Sequence, residues 1–215
     1  MTRNGPRRPR VLPARDPAAI RAAVAALRAG GLVAVPTETV YGVACLLDAT
    51  AIERLLDAKG RPPGKGITLL VADADQAASV GELSQAARRL AARHWPGPLT
   101  MIVPIAAGVT LPETLTAGGG AIGCRVPDHP APRALARALG PLPLTSANVS
   151  GAADARDPAE VIRQLGPSLD LVLDDGPAPG GLPSTVVRLG ASGEPPELLR
   201  AGALSFEVIL ADAVG

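Results

Sequence analysis

Apolar residues recur along this chain at two spacings, which predict helices and strands in alternation. Behind Asp16, a residue type that caps helices well, apolar residues follow at intervals of three and four as far as Gly30. The run from Leu32 to Val35 is short and apolar throughout, as in a buried strand. The same patterns predict further helices at 50–60, 84–94, 131–139, 157–165 and from Ser205, and further strands at 67–72, 99–103, 122–126, 142–144, 169–173 and 185–189. Such alternation favours an α/β sheet covered by helices.

The chain is predicted to form one domain behind a short basic tail. It shows no internal repeat and no linker long enough to separate two domains. Residues 1–15 contain five arginines and no acidic residue, and we interpret them as a flexible basic tail in preference to a nucleic-acid-binding arm. Residues 16–215 then form the folded domain. Within it, the Pro- and Gly-rich stretch 176–183 is typical of a surface loop.

Composition narrows the class of protein. Hydrophobic residues make up 47% of the chain, which suits a globular protein and excludes a disordered one. No apolar run approaches the ~20 residues of a membrane span and no signal-peptide core is present, so a cytoplasmic protein without membrane contact is expected. Cys45 and Cys124 are expected to be buried, reduced thiols, and with two histidines no metal site is predicted.

Two glycine-rich segments resemble nucleotide-binding motifs and are rejected. Residues 118–123 match G-x-G-x-x-G, but they precede a strand, whereas the dinucleotide-binding motif opens a helix. Residues 60–66 resemble a P-loop, but the segment is one residue short and its two prolines remove backbone donors.

The rarest polar residues gather in three short segments. Lys59 and Lys65 are the only lysines beside 19 arginines, so their segment is predicted to need an ammonium group. Tyr41 and Asn148 each lie in a hydroxyl-rich loop that follows a predicted strand, where open α/β sheets bind ligands. A helix cap or a simple turn is the structural alternative for each loop. Nearby arginines would suit a polyphosphate together with a small zwitterion.

Seven short motifs carry a resemblance to a known family. They are PTETVYG (36–42), KGRP (59–62), WPGPLT (95–100), RVPDHP (125–130), SANVSG (146–151), STVV (184–187) and LRAG (199–202). In this order they span nearly all of the chain after the tail. The chain therefore resembles the YrdC/Sua5 family, the threonylcarbamoyl-AMP synthases, and is similar to its short YrdC-only form.

The resemblance implies both a fold and a reaction. The fold would be a single YrdC-like domain, a twisted mixed β-sheet flanked by helices with a concave ligand groove. The enzyme would be a nucleotidyltransferase that forms threonylcarbamoyl-AMP and pyrophosphate from L-threonine, bicarbonate or CO2, and ATP, with Mg2+ carried by the nucleotide. The product would pass to a tRNA threonylcarbamoyl transferase complex for the t6A modification, and the family also admits weak tRNA or double-stranded RNA binding.

The resemblance also assigns residues to ligands. Threonine would be held by Thr39, Arg125, Ser146 and Ser184. ATP would be held by Arg61, Lys65, Ala121, Leu144, Asn148 and Arg200, the contacts of Ala121 and Leu144 being through backbone. Lys59 and Arg61 are the expected catalytic residues. They would act by positioning and charge neutralisation, and no side-chain nucleophile or general base is assigned.

Two positions depart from the family pattern. Leu70 stands where many relatives carry a histidine that touches threonine. Asp154 stands where many carry a serine or threonine near the nucleotide. Because a carboxylate would repel phosphate, we expect either that this loop aligns differently or that Asp154 points away.

Two alternatives remain. One is a paralogue that handles carbamoyl adenylate, as in hydrogenase maturation, and binds carbamoyl phosphate in place of threonine. The other is a non-catalytic tRNA or double-stranded RNA binder. Outside the tail, 16 basic residues face 20 acidic ones, a net charge of about −4, which weighs against nucleic-acid binding.

Overall fold

A computed structural model gives the fold, and it describes residues 8–62, 64, 66–190 and 194–214. The helices are α1 (Pro17–Arg28), α2 (Ala49–Lys59), α3 (Ala74–Ala78), α4 (Gln85–His94), α5 (Glu113–Thr116), α6 (Pro130–Leu139), α7 (Pro158–Leu165) and α8 (Phe206–Val214). The strands are β1 (Arg10–Pro13), β2 (Val33–Val35), β3 (Gly42–Ala44), β4 (Thr68–Leu70), β5 (Leu99–Pro104), β6 (Ala121–Arg125), β7 (Leu142–Ser146), β8 (Leu171–Asp174), β9 (Thr185–Arg188) and β10 (Glu197–Arg200).

These ten strands form one mixed sheet in the order β1-β8-β2-β3-β7-β4-β6-β5-β9-β10. The β1/β8, β2/β8, β4/β6 and β5/β9 pairs are parallel, and the remaining pairs are antiparallel. Helices lie on both faces of this sheet, so the predicted fold class, a mixed α/β sheet flanked by helices, is confirmed.

Two clusters of buried side chains make up the core, one on each face of the sheet. Val33 and Val35 belong to one cluster and Ala34 between them to the other, as the alternation of side chains along a strand requires. We call the cluster that contains Ala34 the first core cluster; it receives residues from α2, α3, α4, α5, α7 and α8. The second core cluster, which contains Val33, receives residues from α1 and α6.

Side chains that accept a backbone hydrogen bond fix the start of most helices. They are Asp16, Asp48, Asp73, Ser84, His129 and Asp157 for α1, α2, α3, α4, α6 and α7. For α2, the prediction of a start at residue 50 is slightly wrong. The cap is Asp48, whose carboxylate accepts from the Ala51 amide at 2.9 Å, so the helix begins at Ala49.

The predicted boundary between tail and domain is also wrong. Arg10–Pro13 pair in parallel with β8, with Arg10 opposite Leu171, so the sheet includes part of the expected flexible segment. Arg15 extends this anchor through an ion pair with Asp175 at 2.7 Å. The strand gave no clear pattern because it lies at the sheet edge and most of its residues are exposed. Residues 1–7 of the predicted tail lie outside the described residues.

The described residues include two free cysteines and no helix suited to crossing a membrane. Over those residues, no helix combines the length and the apolar character that crossing a bilayer requires. Cys45 and Cys124 are free and buried, as predicted. Burial raises the pKa of each thiol to about 12, so both stay protonated at neutral pH.

Candidate active site

An open cavity of about 260 Å³ lies on the face of the sheet that carries the second core cluster. On that face α1 and α6 cover strands β8, β2, β3, β7 and β4, and the second core cluster includes no residue of β5, β6 or β9. The uncovered strands supply much of the cavity floor. The cavity is lined by Thr37, Val40, Tyr41, Gly42, Arg61, Gly66, Ile67, Thr68, Thr100, Ile102, Arg125, Leu144, Thr145, Ser146, Asp154, Pro183, Ser184, Val186 and Arg200. This is the concave groove that the family resemblance implied.

A glycine leaves the floor of the cavity without a side chain at one position of β6. Gly123 lies in β6, and a Cβ atom there would be 3.0 Å from Ile102 Cδ1 and 3.2 Å from Thr68 Oγ1. Thr68 and Thr100 add hydroxyl groups to this otherwise apolar floor. Neither residue was predicted from the sequence to contact a ligand. A signal for them existed, since each is a hydroxyl residue within a predominantly apolar strand.

One side of the cavity, which we call the first wall, is formed by the segment 37–41, of which Thr37, Val40 and Tyr41 line the cavity, together with Arg125. Thr37 Oγ1 donates to Val40 O at 2.7 Å, which uses its only hydroxyl hydrogen. Thr39 Oγ1 must therefore be the donor in its 2.9 Å bond to Thr37 Oγ1. Arg125 Nη2 donates to the same Thr39 oxygen at 2.9 Å. Thr39 can consequently offer an additional partner only an acceptor lone pair.

Arg125 is held by several partners within the first wall. Its Nη2 also donates to Glu38 Oε1 at 2.7 Å, an ion pair in which 9% of the Arg125 side chain is exposed. Its Nε donates to Gly97 O at 3.3 Å. Within the described part of the chain Nη1 has no hydrogen-bond partner. An anion in the cavity can therefore reach Nη1 without displacing an existing bond.

The opposite side, which we call the second wall, consists of Arg61, Asp154 and Arg200. Arg61 donates to Gly66 O at 2.9 Å and to Thr145 Oγ1 at 3.3 Å. Arg200 donates to Ser184 O at 2.7 Å through Nη2. Burial lowers the pKa of both guanidinium groups, and at Arg200 the negative charge of Asp154 partly offsets that effect.

Lys59 and Asn148 lie behind the cavity and hold the loop of residues 146–152. The Lys59 ammonium donates to Ser146 O and, at 2.6 Å, to Asn148 O. The Asn148 amide donates to Ala152 O at 2.7 Å, and its Oδ1 accepts from Ser146 Oγ. Burial, followed by the charge of Arg61, lowers the pKa of Lys59 to about 8, although Asp154 acts in the opposite direction. Neither side chain lines the cavity.

The structure thus brings together most of the residues that the sequence analysis singled out. Those that line the cavity are Arg61, Arg125, Leu144, Ser146, Ser184 and Arg200. Thr39 does not line the cavity but is hydrogen-bonded to two residues that do, Thr37 and Arg125. Ala121 lies at the start of β6, opposite Pro104, and does not line the cavity. Lys65 lies outside the described residues.

The two departures from the family pattern have different outcomes. Leu70 is fully buried in the second core cluster and does not line the cavity. Asp154 does line the cavity, so the alternative that it points away is wrong, and the alternative that the loop aligns differently stays a prediction. The segment is held in this position because the adjacent Ala155 accepts a backbone hydrogen bond from Tyr41 at 2.9 Å.

Comparison with known proteins identifies the family. The model of the Sua5/YciO/YrdC family, described as telomere recombination, matches residues 25–202. The chain belongs to the Sua5/YciO/YrdC family. This membership covers the whole cavity described above, since every one of its lining residues falls within the matched range.

Relatives in the Sua5/YciO/YrdC family carry a consistent name. The chain is 39% identical over 163 residues to the threonylcarbamoyl-AMP synthase of Idiomarina loihiensis, covering 74% of this chain and 87% of that protein. It is 36% identical over 193 residues to that of Pyrococcus abyssi, covering 88% of this chain and 56% of that protein. The chain therefore spans little more than half the length of the archaeal relative.

A solved structure in this family contains a ligand. The crystal structure of P. abyssi Sua5 complexed with L-threonine matches with a TM-score of 0.84 and 35% identity, over 90% of this chain and 56% of that one. The shared fold therefore extends over most of this chain.

Proposed function

We propose that this protein is a threonylcarbamoyl-AMP synthase, a nucleotidyltransferase that joins L-threonine, bicarbonate or CO2, and ATP. The observation that carries the proposal is the convergence of Arg61, Arg125 and Arg200 on one cavity. Arg125 is paired with a carboxylate and can receive a single further anionic group. Arg61 and Arg200 lie on the other wall and suit the several charges of a triphosphate. The names of the relatives support the same assignment.

The proposed reaction has two steps that need positioning more than side-chain chemistry. The threonine amine adds to CO2, loses a proton and becomes a carbamate. A carbamate oxygen then attacks the α-phosphorus of ATP, and the bond to the leaving pyrophosphate breaks. Arg125 would hold the threonine carboxylate while Arg61 and Arg200 neutralise the phosphates as charge moves towards pyrophosphate. No nucleophilic side chain takes part in this scheme.

The hydroxyl groups near Arg125 would recognise the amino-acid substrate. Ser184 Oγ lies 2.8 Å from Thr100 Oγ1 and accepts from Arg200 at 3.1 Å, so it connects the second wall to the floor of the cavity. Thr39 can act only as an acceptor, as derived above, which suits the ammonium or the hydroxyl hydrogen of threonine. The roles of Thr39, Ser146 and Ser184 towards threonine are part of the proposal.

The residues of the second wall fit a nucleotide that carries Mg2+. Magnesium in proteins combines one or two carboxylates with phosphate oxygens, and Asp154 supplies a carboxylate among arginines. Bound there, the ion would neutralise phosphate charge and turn the repulsion of Asp154 into attraction. Lys65, Ala121, Leu144 and Asn148 remain predicted ATP contacts. Lys59 remains a predicted catalytic residue, now with a role in holding the 146–152 loop.

The wider context is proposed from the same reaction. The product would be handed to a tRNA threonylcarbamoyl transferase complex, which consumes an activated threonylcarbamoyl group for the t6A modification. This sequence of reactions places the protein in the cytoplasm, where tRNA is modified.

Pyrophosphate release tests the function directly. We expect release from ATP only when threonine and bicarbonate are both present, measured with each component omitted in turn. Release driven by carbamoyl phosphate without an amino acid would move the protein to the hydrogenase-maturation type.

A further inference from the structure

Glu38 lies behind the cavity and holds three segments of the chain together there. Its Oε1 accepts from Arg125 Nη2 at 2.7 Å, and its Oε2 accepts from the Asp128 amide at 3.1 Å. Its backbone oxygen accepts from the Gly180 amide at 3.1 Å. Glu38 itself does not line the main cavity but a separate one, which it shares with His129 and others. Any effect of Glu38 on a ligand must therefore pass through its neighbours.

The loop 176–183 packs closely against the backbone of Glu38 and Thr39. A Cβ atom at Gly180 would lie 2.6 Å from Glu38 O and 3.4 Å from Thr39 Cα, so only glycine permits this approach. The next residue, Gly181, donates its amide to Thr39 O at 2.9 Å. The backbone around Glu38 is thus fixed from one side by the loop, while the side chain is fixed from the other by Arg125 and Asp128.

The carboxylate of Glu38 determines which nitrogen of Arg125 is available. Nη2 donates to Glu38 and Thr39, which uses both of its hydrogens, and Nε donates to Gly97. Without Glu38, the guanidinium would lose its one charged partner and could turn about its long side chain. With Glu38 in place, the orientation is set, and Nη1 is the nitrogen left for a ligand.

We propose that Glu38 is a positioning residue for the amino-acid substrate. Its carboxylate fixes the Arg125 guanidinium so that Nη1 receives the carboxylate of the substrate in one orientation. Glu38 has no such relation to the nucleotide, because Arg61 and Arg200 make no hydrogen bond to it among the described residues. The identity of the substrate as threonine rests on the proposed function.

Glu38→Gln tests this role with little change of shape. The amide has an acceptor at only one of the two oxygen positions and an NH2 donor at the other, so the bonds to Arg125 and Asp128 cannot both be kept, and it carries no charge. We expect KM for threonine to rise about ten-fold or more, as for the loss of one charge-assisted hydrogen bond, with KM for ATP within about two-fold of wild type. The threonine affinity is measured independently by calorimetric titration. Glu53→Gln, on the exposed side of α2, is the matched control and should change neither constant.

The outcomes separate positioning from a purely structural role. An equal rise in both KM values, or an unchanged KM for threonine with a lower melting temperature, would overturn the proposal. If Glu38→Gln does not fold, Glu38→Asp keeps the charge, and its effect must again fall on threonine alone. A wild-type protein that releases no pyrophosphate with threonine would instead contradict the proposed function, which the wild-type assay establishes before any variant is compared.

Discussion

The first and second walls of the cavity both contain buried arginines, but the walls hold them in different ways. In the first wall, Arg125 pairs with Glu38 at 2.7 Å and is enclosed by hydroxyl and carbonyl oxygens. In the second wall, Arg200 is held by the carbonyl and hydroxyl oxygens of Ser184 and forms no ion pair with any residue that the structure describes. Burial accordingly lowers the pKa of Arg61 and Arg200.

The difference follows from what burying a charge costs. A buried cation paired with a carboxylate, as Arg125 is, is stable in the empty protein, whereas one held by neutral oxygens, as Arg200 is, gains more from an arriving anion. The first wall is therefore suited to fixing one small ligand in one orientation. The second wall is completed by the ligand, which suits a group with several negative charges. Four predictions test this contrast.

The largest effect is expected for substrate choice at the first wall. A site that hydrogen-bonds a substrate hydroxyl can reject an analogue without it by up to about 10⁴-fold, so valine should be essentially inactive. Serine keeps the hydroxyl and loses one methyl group, and should be about ten-fold or more worse than threonine. The measurement is bicarbonate-dependent pyrophosphate release at equal amino-acid concentrations. Valine turning over as fast as threonine would show that the hydroxyl is not read.

Arg61→Ala should cost at least about 100-fold in turnover, since it removes a charged donor aimed at the phosphates. The control is Arg137→Ala, an exposed arginine on α6 outside the cavity, which should be near neutral. Lys59→Ala is expected to lose a similar factor, because the 146–152 loop would lose two hydrogen bonds. Near wild-type turnover in Arg61→Ala would contradict the role of the second wall.

The free energy of unfolding should depend on the protonation of Lys59, the buried cation behind the second wall. The folded protein releases this proton near pH 8 and the unfolded chain near 10.5, so the unfolded state binds more protons in between. Stability from this group therefore rises with pH, by about 2 kcal/mol between pH 8 and 10. The test compares the denaturant unfolding of wild type and Lys59→Met at each pH. Both proteins contain the buried thiols of Cys45 and Cys124, whose raised pKa makes stability fall as pH rises, so that contribution cancels in the comparison. Identical pH profiles would rule out a depressed pKa at Lys59.

Asp154→Ser should have the smallest effect, and in the opposite direction to Arg61→Ala. Removing the carboxylate should raise affinity for ATP without Mg2+ by about ten-fold, and less when Mg2+ is present. Calorimetric titration with and without the ion measures both values. Asp57→Asn, an exposed charge on α2, is the control. Weaker binding of metal-free ATP to Asp154→Ser would contradict the repulsion inferred here.

The sequence predicts the long elements of this fold better than the short ones. Helices such as α1 and α6 carry a full apolar stripe, and the central strands are apolar throughout, so both could be found from pattern alone. Strands β3 and β10 could not be predicted in this way. The first has three residues and begins with glycine, and all four residues of the second are exposed at the edge of the sheet.

The site shows a similar division between what is local and what is tertiary. Ser146, Arg125 and Arg200 could be assigned to the site because each lies in a recognisable motif. The sequence does not predict that the 146–152 loop buries the Lys59 ammonium, or that Glu38 turns away from the cavity. Both depend on which segment packs against which, and a single sequence does not specify that without the fold.

The single tryptophan gives this protein an intrinsic optical probe. Trp95 donates its indole hydrogen to Leu99 O at 2.7 Å, at the start of the strand that carries Thr100. Gly97, two residues after Trp95, accepts a hydrogen bond from Arg125 Nε through its backbone oxygen. The indole is thus connected through the backbone to the guanidinium of the first wall. Its fluorescence should therefore respond to amino-acid binding, and titration with threonine needs no attached dye.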